Sequence, residues 1–176
     1  DDTLYSEFDY VMSGYRYLSE LLRSLYAVDA YSAFLEAVDI KSVDVFDYVL
    51  IKCELPRFLK EHLVLAYRYH KPTLSLHSGV KKILGSLYDK NIPVYLITDG
   101  RSITQRLKID SLGINDLFEK IYISEEVGVG KPALDAFLDI DIKHHNSKIV
   151  YIADNPKKDF IAPAKIGWDT IGVAHR

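Results

Sequence analysis

Hydrophobic positions follow two different rhythms along the 176-residue chain, and the change falls near residue 74. Before that point, apolar and aromatic side chains return every three or four positions, which is the spacing of a helix with one buried face. Asp29 and Ser42 stand where helix N-caps are expected, and Pro56 suits the first turn of a helix. We therefore predict a small antiparallel helical bundle over residues 6–73.

From residue 74 onward, helical stretches alternate with short runs rich in Ile, Val and Tyr. The runs predict strands at residues 93–97, 120–123, 149–152 and 170–173. The helices predicted before them cover residues 79–90, 103–112, 133–139 and 158–166. Short buried strands separated by helices are typical of a parallel sheet built from right-handed βαβ units. The predicted fold class is therefore α/β, a Rossmann-like parallel sheet with an inserted small helical bundle.

Composition restricts the classes of function. The formal net charge is −3 and the pI is near 6.1, so the chain does not offer the basic face with which proteins bind nucleic-acid phosphates. No apolar run approaches the roughly 20 residues of a membrane span, and the acidic first residues are not typical of a signal peptide. Cys53 is the single cysteine, which favours a reducing compartment. We predict a cytoplasmic protein that binds neither nucleic acid nor membrane.

Polar residues stand where the predicted strands end. Thr98, Asp99 and Gly100 follow the first strand, and Asp154 follows the third. Lys131 lies in the loop after the second strand, just ahead of a helix. Since ligands bind beyond the carboxyl ends of parallel strands, we expect these side chains to share one site. A hydroxyl donor, a lysine and carboxylates that hold Mg²⁺ are the groups that phosphoryl transfer needs.

The order of these segments resembles the haloacid dehalogenase-like (HAD) hydrolase superfamily. The shared features are strand–Thr-Asp-Gly, then Lys-Pro before a helix, then strand–Asp with a second acid, Asp159, five residues on. The opening Asp1-Asp2-Thr3-Leu4 is similar to the end of the family's first motif, Asp-x-Asp-x-Thr. By this resemblance, residues 1–5 and 74–176 form the α/β core, and residues 6–73 form a helical cap inserted between the first and second motifs.

The resemblance also implies roles for single residues. Asp1 is the general acid and base, and its backbone carbonyl helps to bind Mg²⁺. Thr98 donates a hydrogen bond to the transferring phosphoryl group, and Lys131 bridges that group and the nucleophile. Asp154 binds the metal directly, and Asp159 supports it directly or through water. The substrate contacts implied in this way are Thr98, Asp99, Gly100, Arg101 and Lys131.

The nucleophile implied by the resemblance would precede Asp1 in the sequence. An aspartate is expected two residues before Asp1, at the end of a central strand that also precedes Asp1. Such an aspartate forms an aspartyl-phosphate and divides one hard displacement into two easier steps. We therefore expect the working protein to extend upstream by about six to ten residues, the usual length of one strand. A protein that truly starts at Asp1 is expected to be inactive.

The predicted function is Mg²⁺-dependent hydrolysis of a phosphomonoester of a small metabolite through an aspartyl-phosphate. Asp1 favours this reaction over dehalogenation, because a leaving halide needs no proton. Two alternatives stay open: a non-catalytic HAD-like binding or scaffold domain without the nucleophile, and a phosphomutase of the same family. The expected partner is a small phosphorylated substrate, and the sequence predicts neither its identity nor the oligomeric state.

Overall fold

The computed structural model describes residues 1–174 and divides into two compact units. One unit consists of residues 1–7 and the chain from Ser75 onward, and the other consists of residues 8–74. The second unit is thus an insertion in the sequence of the first. No helix within residues 1–174 combines the length and the apolar composition needed to cross a membrane.

The inserted region is helical. Its helices are α1 Glu7–Tyr26, α2 Tyr31–Asp39, α3 Val45–Lys52 and α4 Leu59–Tyr69. Their apolar faces meet in one cluster, in which Leu18, Phe34 and Leu50 are fully buried. Tyr15 stacks on Phe34, with the ring centroids 4.6 Å apart. The spacing of apolar positions in the sequence therefore produces the buried faces of these helices.

Two helix starts differ from the predicted caps. Asp44, rather than Ser42, caps α3, and its side chain accepts a hydrogen bond from a first-turn N–H at 3.0 Å. Ala30 is the N-cap residue of α2, while Asp29 accepts a hydrogen bond from the first N–H of that helix at 3.2 Å. Both corrections are shifts of one or two residues, because several short polar side chains near a helix start can bind its unpaired N–H groups.

The other unit alternates helices and strands. Its strands are β1 Tyr95–Thr98, β2 Lys120–Ile123, β3 Val150–Ala153 and β4 Asp169–Gly172. Its helices are α5 Val80–Asp89, α6 Ser102–Leu112, α7 Ser124–Val127, α8 Asp135–Lys143 and α9 Ile161–Lys165, with a 3₁₀ turn at Asn115–Leu117. Each predicted strand occurs within two residues of its predicted bounds, which confirms the α/β fold class.

The strands pair in twos. β1 is parallel to β2, with Tyr95 opposite Lys120, and β3 is parallel to β4, with Val150 opposite Asp169. Within residues 1–174, no strand pairs with the remaining edge of β1 or of β3. Residues of both strands instead line one cavity of about 820 Å³. The parallel sheet predicted from the sequence is therefore interrupted between β1 and β3, where the central strand is expected.

Helices supply the apolar walls of this cavity. Leu84 comes from α5, Ile109 from α6 and Ile140 from α8, and all three are less than 10 % exposed. Polar side chains line the cavity near the carboxyl ends of β1 and β3. The cavity thus has apolar walls and one polar end, and the predicted site residues lie at the polar end.

Candidate active site

The predicted acids, hydroxyl and lysine gather at one end of the cavity. β1 ends at Thr98 and Asp154 follows β3 directly, so both side chains stand at the carboxyl ends of strands. Asp1, Thr98, Lys131 and Asp154 all line the cavity. Asp159 is only 2 % exposed and pairs with Lys131. The geometry brings these residues together, and their catalytic roles stay predictions.

The opening segment is anchored beside the end of β3. The Thr3 hydroxyl donates a hydrogen bond to Asp154 Oδ1 at 2.7 Å. The Leu4 carbonyl accepts a hydrogen bond from the His77 N–H at 2.8 Å. The first bond holds the segment that contains Asp1 next to the end of β3, and the second ties it to the loop before α5. Thr3 therefore fixes the opening loop in this structure.

The Asp1 carboxylate has two donors that the sequence reasoning misses. Lys108 Nζ lies 2.8 Å from Asp1 Oδ1, and the Tyr5 hydroxyl donates to the same oxygen. Lys108 lies on α6 and is only 4 % exposed. The sequence contains a signal for this position, because Gln105, Lys108 and Ile109 have the spacing of a single helix face. All three side chains are buried. The signal in the sequence is therefore that Lys108 shares a helix face with the apolar Ile109.

Asp99 holds the loop that carries Lys131. Its Oδ1 accepts a hydrogen bond from the Lys131 backbone N–H at 3.0 Å, and its Oδ2 lies 3.2 Å from Lys158 Nζ. Its carbonyl accepts a hydrogen bond from the Gln105 side chain at 2.8 Å. A Cβ added to Gly130 would lie 3.1 Å from Asp99 Oδ1, so the loop passes unusually close to this carboxylate. Asp99 thus supports Lys131, and its contact with substrate stays a prediction.

A buried ion pair fixes the Lys131 ammonium group. Its Nζ lies 2.7 Å from Asp159 Oδ1, and the side chains are 11 % and 3 % exposed. Asp159 Oδ2 accepts a hydrogen bond from the Asn155 N–H at 3.1 Å. Lys131 Nζ also donates to the Tyr151 hydroxyl at 3.4 Å. Burial, and then the neighbouring carboxylates, raise the pKa of Tyr151, so this hydroxyl keeps its proton to a higher pH than a free tyrosine does.

The two remaining predicted substrate contacts lie at the start of α6. Gly100 has φ 139°, and its N–H donates to the Ser124 hydroxyl at 2.9 Å. Side chains are strained at this φ, so the turn favours glycine, and a Cβ there would also lie 2.7 Å from the Gln105 side chain. Arg101 is exposed and is the N-cap residue of α6. Within the described part of the chain, neither residue lines the cavity, and Asp99 does not line it either, so the contact of all three with substrate stays a prediction.

The acids match a magnesium site through their chemistry rather than as a ready cluster. Within residues 1–174, no three His, Cys, Asp or Glu side chains are grouped so as to hold a metal ion. Mg²⁺ usually binds proteins through one or two carboxylates and keeps several waters. Asp154 and the backbone carbonyl of Asp1 supply hard oxygen donors beside the cavity, whereas Asp159 is paired with Lys131. These oxygen donors fit the chemistry of Mg²⁺, and the metal-binding roles of Asp154 and Asp159 stay predictions.

Known proteins resemble the chain over most of its length. Residues 1–173 match the sequence profile of the haloacid dehalogenase-like hydrolases. A glyceraldehyde 3-phosphate phosphatase of Methanocaldococcus jannaschii is 29 % identical over 190 aligned positions, which cover 98 % of this chain and 81 % of that protein. Further curated relatives are matched over 40 % to 55 % of their lengths, so the chain spans about half of those proteins.

Solved structures share the fold. A putative beta-phosphoglucomutase of Thermotoga maritima matches with a TM-score of 0.68 and 19 % identity, over 100 % of this chain and 83 % of that one. The putative HAD-hydrolase YfnB of Bacillus subtilis, described as bound to magnesium, matches with a TM-score of 0.66 and 18 % identity, over 98 % and 83 % of the two chains. At these identities the similarity establishes the fold alone.

Proposed function

Because the chain belongs to the haloacid dehalogenase-like hydrolase family, we propose that it forms the active site of a Mg²⁺-dependent phosphomonoester hydrolase. The observation that carries the proposal is the cavity between β1 and β3, whose polar end is lined by Thr98, Lys131 and Asp154. A hydroxyl and an ammonium group match the oxygens of a phosphoryl group, and a carboxylate matches its metal ion. Fixed donors and charges around the phosphoryl group are most of what a protein contributes to this reaction.

Each side chain has one task in the proposed site. The Thr98 hydroxyl donates a hydrogen bond to a phosphoryl oxygen, and the Lys131 ammonium group offsets the negative charge. Asp159 keeps the ammonium group in place through the 2.7 Å ion pair. Asp154 and the Asp1 carbonyl would hold Mg²⁺, which would neutralise further charge on the phosphoryl oxygens.

Asp1 is the acid and the base of the proposed reaction. In the first step, an aspartate two residues before Asp1 attacks phosphorus. The bond from phosphorus to the ester oxygen breaks, and Asp1 gives its proton to that leaving oxygen. In the second step, Asp1 takes a proton from a water molecule whose oxygen attacks the aspartyl-phosphate. The aspartate and inorganic phosphate are released, and Asp1 again carries a proton.

The cavity supports this position for the nucleophile. The remaining edges of β1 and β3 have no ladder partner within residues 1–174, and buried backbone groups need one. A parallel strand between them would complete one sheet, and the apolar walls suit a strand buried on both faces. Thr3 anchors the following loop to Asp154. A strand that leads into Asp1 would therefore bring the residue two positions earlier to the polar end of the cavity.

The substrate proposed for the first test is a small phosphorylated metabolite. The relative from Methanocaldococcus jannaschii is named for glyceraldehyde 3-phosphate, and we take a three-carbon sugar phosphate as the lead candidate. We propose that the inserted unit of residues 8–74 is the cap that selects the non-phosphate part of the substrate.

The experiment measures phosphate release by the protein with its natural residues before Asp1. Glyceraldehyde 3-phosphate and p-nitrophenyl phosphate are supplied with Mg²⁺ or with EDTA, and we expect turnover only with the metal. Thr98→Ala should lower turnover by about 100-fold or more, because it removes a donor aimed at the transition state. The matched control is Thr170→Ala on the exposed strand β4, which should leave turnover unchanged.

The outcomes separate the alternatives. A folded protein that hydrolyses no phosphate ester with Mg²⁺ contradicts the hydrolase proposal. Binding of a phosphate ester without turnover favours a non-catalytic binding domain. Conversion of one sugar phosphate isomer into another, without phosphate release, favours a phosphomutase. A residue other than Asp two positions before Asp1 contradicts the proposed nucleophile.

A further inference from the structure

Lys108 is a buried cation in an unusual place. It is 4 % exposed, and its ammonium group lies 2.8 Å from Asp1 Oδ1. Burying a charged lysine costs free energy unless an opposite charge compensates for it. Helix lysines normally keep the ammonium group in water, as the 53 % exposed Lys52 does on α3. Lys108 is therefore held at a particular carboxylate oxygen rather than at the surface.

One face of α6 reaches two loops of the proposed site. Gln105 and Lys108 are three residues apart and so point to the same side of the helix. Gln105 donates to the Asp99 carbonyl at 2.8 Å, while Lys108 contacts Asp1. Asp99 in turn accepts the Lys131 N–H. The helix thus sets the position of the acid relative to the loop that carries the phosphate-binding lysine.

Tyr5 supplies a second donor to the same atom. Its hydroxyl donates to Asp1 Oδ1, and its ring is 5 % exposed, with Lys108 Nζ 5.8 Å from the ring centre. Two donors on one oxygen restrict the rotation of a carboxyl group. Oδ1 is therefore occupied by the protein, which leaves Oδ2 for the reacting atoms.

We propose that Lys108 and Tyr5 are positioning residues, which hold Asp1 so that Oδ2 gives and takes the proton. This inference rests on the proposed function, in which Asp1 is the acid and the base. Neither positioning residue touches the phosphoryl group or exchanges a proton. Because a misplacement of about 1 Å can slow a reaction by about 100-fold, losing Lys108 slows the step in which Asp1 protonates the leaving oxygen.

The test compares two esters that differ in their need for a proton. The leaving oxygen of glycerol 3-phosphate needs one, whereas p-nitrophenolate leaves without much help. The quantity measured is kcat/KM, because it includes no step after the leaving group departs. We expect Lys108→Met to lower kcat/KM about 10- to 100-fold for glycerol 3-phosphate and less than about threefold for p-nitrophenyl phosphate. Lys108→Arg, which keeps the charge, should retain most of the activity.

A double-mutant cycle asks whether Lys108 acts through Asp1. If it does, Asp1→Asn combined with Lys108→Met should be no slower on glycerol 3-phosphate than Asp1→Asn alone. The matched control is Lys120→Met, which removes a lysine from an exposed pair with Asp139 and should leave both esters unaffected. Circular dichroism and urea denaturation establish that each variant is folded.

The outcomes are distinct. Equal losses on both esters, or losses that multiply in the double variant, overturn the positioning role. If Lys108→Met does not fold, Tyr5→Phe carries the test, with the same dependence on the leaving group expected at about three- to tenfold. A parent protein that turns over neither ester contradicts the proposed function itself. An active parent with an unaffected Lys108→Met variant contradicts only this inference.

Discussion

The helical unit and the α/β unit bury different kinds of side chain. In the helical unit, the buried apolar residues form one cluster around Leu18, Phe34 and Leu50. In the described part of the α/β unit, the apolar clusters are smaller, and the charged residues Lys108 and Asp159 are buried as well. Apolar packing organises the first unit, whereas the second also uses buried ion pairs beside a cavity. The same chain thus uses burial for stability in one unit and for fixing charges in the other.

The ion pairs show the same contrast. In the helical unit, Lys60 pairs with Asp44 at 2.6 Å, and these side chains are 35 % and 41 % exposed. In the α/β unit, the pair of Lys131 and Asp159 has a similar distance but is almost fully buried. Exposed pairs contribute little to stability, while breaking a buried pair leaves an uncompensated charge. Two matched pairs of substitutions, at Phe34 and Phe58 and at Lys131 and Lys60, test this difference between the units.

The largest effect is expected at the centre of the helical cluster. Phe34→Ala should lower the free energy of unfolding by about 3–5 kcal/mol, because it leaves a cavity under Tyr15. Urea denaturation followed by circular dichroism measures the change. Phe58→Ala, at a 70 % exposed position, is the matched control and should change stability little. Equal effects of the two substitutions would contradict a core centred on Phe34.

A slightly smaller effect is expected at the buried ion pair. Lys131→Met should destabilise the α/β unit by about 3 kcal/mol, because the Asp159 carboxylate loses its cation in a buried position. The matched control in the other unit is Lys60→Met, which breaks partly exposed pairs with Asp44 and Asp47 and should move the urea midpoint much less. If both substitutions had the same effect, the contrast between the two units would be wrong.

Glycine substitutions should have opposite signs at two positions. Gly130→Ala is expected to destabilise the protein by about 1 kcal/mol and to lower activity, since the new Cβ would press on Asp99 Oδ1. Gly85→Ala, in the interior of α5, meets no atom within 4 Å and should stabilise it by about 0.5–1 kcal/mol. Thermal unfolding and phosphate release measure the two effects. Stabilisation by Gly130→Ala would show that Asp99 does not constrain the loop.

The smallest effect is a pH dependence at Tyr151. An unfolded tyrosine ionises near pH 10, and burial raises the pKa of Tyr151 in the folded unit. The stabilisation linked to this proton is therefore present below about pH 10 and is lost as the pH rises above that value. Tyr151→Phe should flatten the fall of the urea midpoint above roughly pH 10. An unchanged fall would contradict the raised pKa.

Much of the candidate site could be predicted because it depends on local signals. Thr98 and Asp154 stand at the ends of short apolar runs, and parallel strands end at one edge of a sheet. Lys108 could not be predicted in the same way. Its contact with Asp1 joins residues 107 positions apart, and lysines on helices are usually exposed. The spacing of Gln105, Lys108 and Ile109 places Lys108 on one face of α6, but it does not indicate which carboxylate pairs with the lysine.

The fold shows a similar limit. The strands were predictable from their Ile, Val and Tyr runs, since each run is continuous in the chain. Which strands pair depends on what lies between them, and here β1 and β3 border a cavity rather than each other. Ser42 was the predicted N-cap of α3, and Asp44 is the observed one. Both side chains can accept a hydrogen bond from a first-turn N–H, so the sequence alone does not distinguish them.

Within residues 1–174, one edge of β1 and one edge of β3 have no paired strand, and this has a consequence for biosynthesis. Exposed strand edges are templates on which other chains add, so a folding intermediate with an open cavity is prone to aggregation. A strand that precedes Asp1, as proposed, leaves the ribosome before either of its two neighbours. It is then available when β1 and β3 emerge, and each edge can be covered as soon as it forms. The order of synthesis would thus reduce the time during which open strand edges of this sheet can cause aggregation.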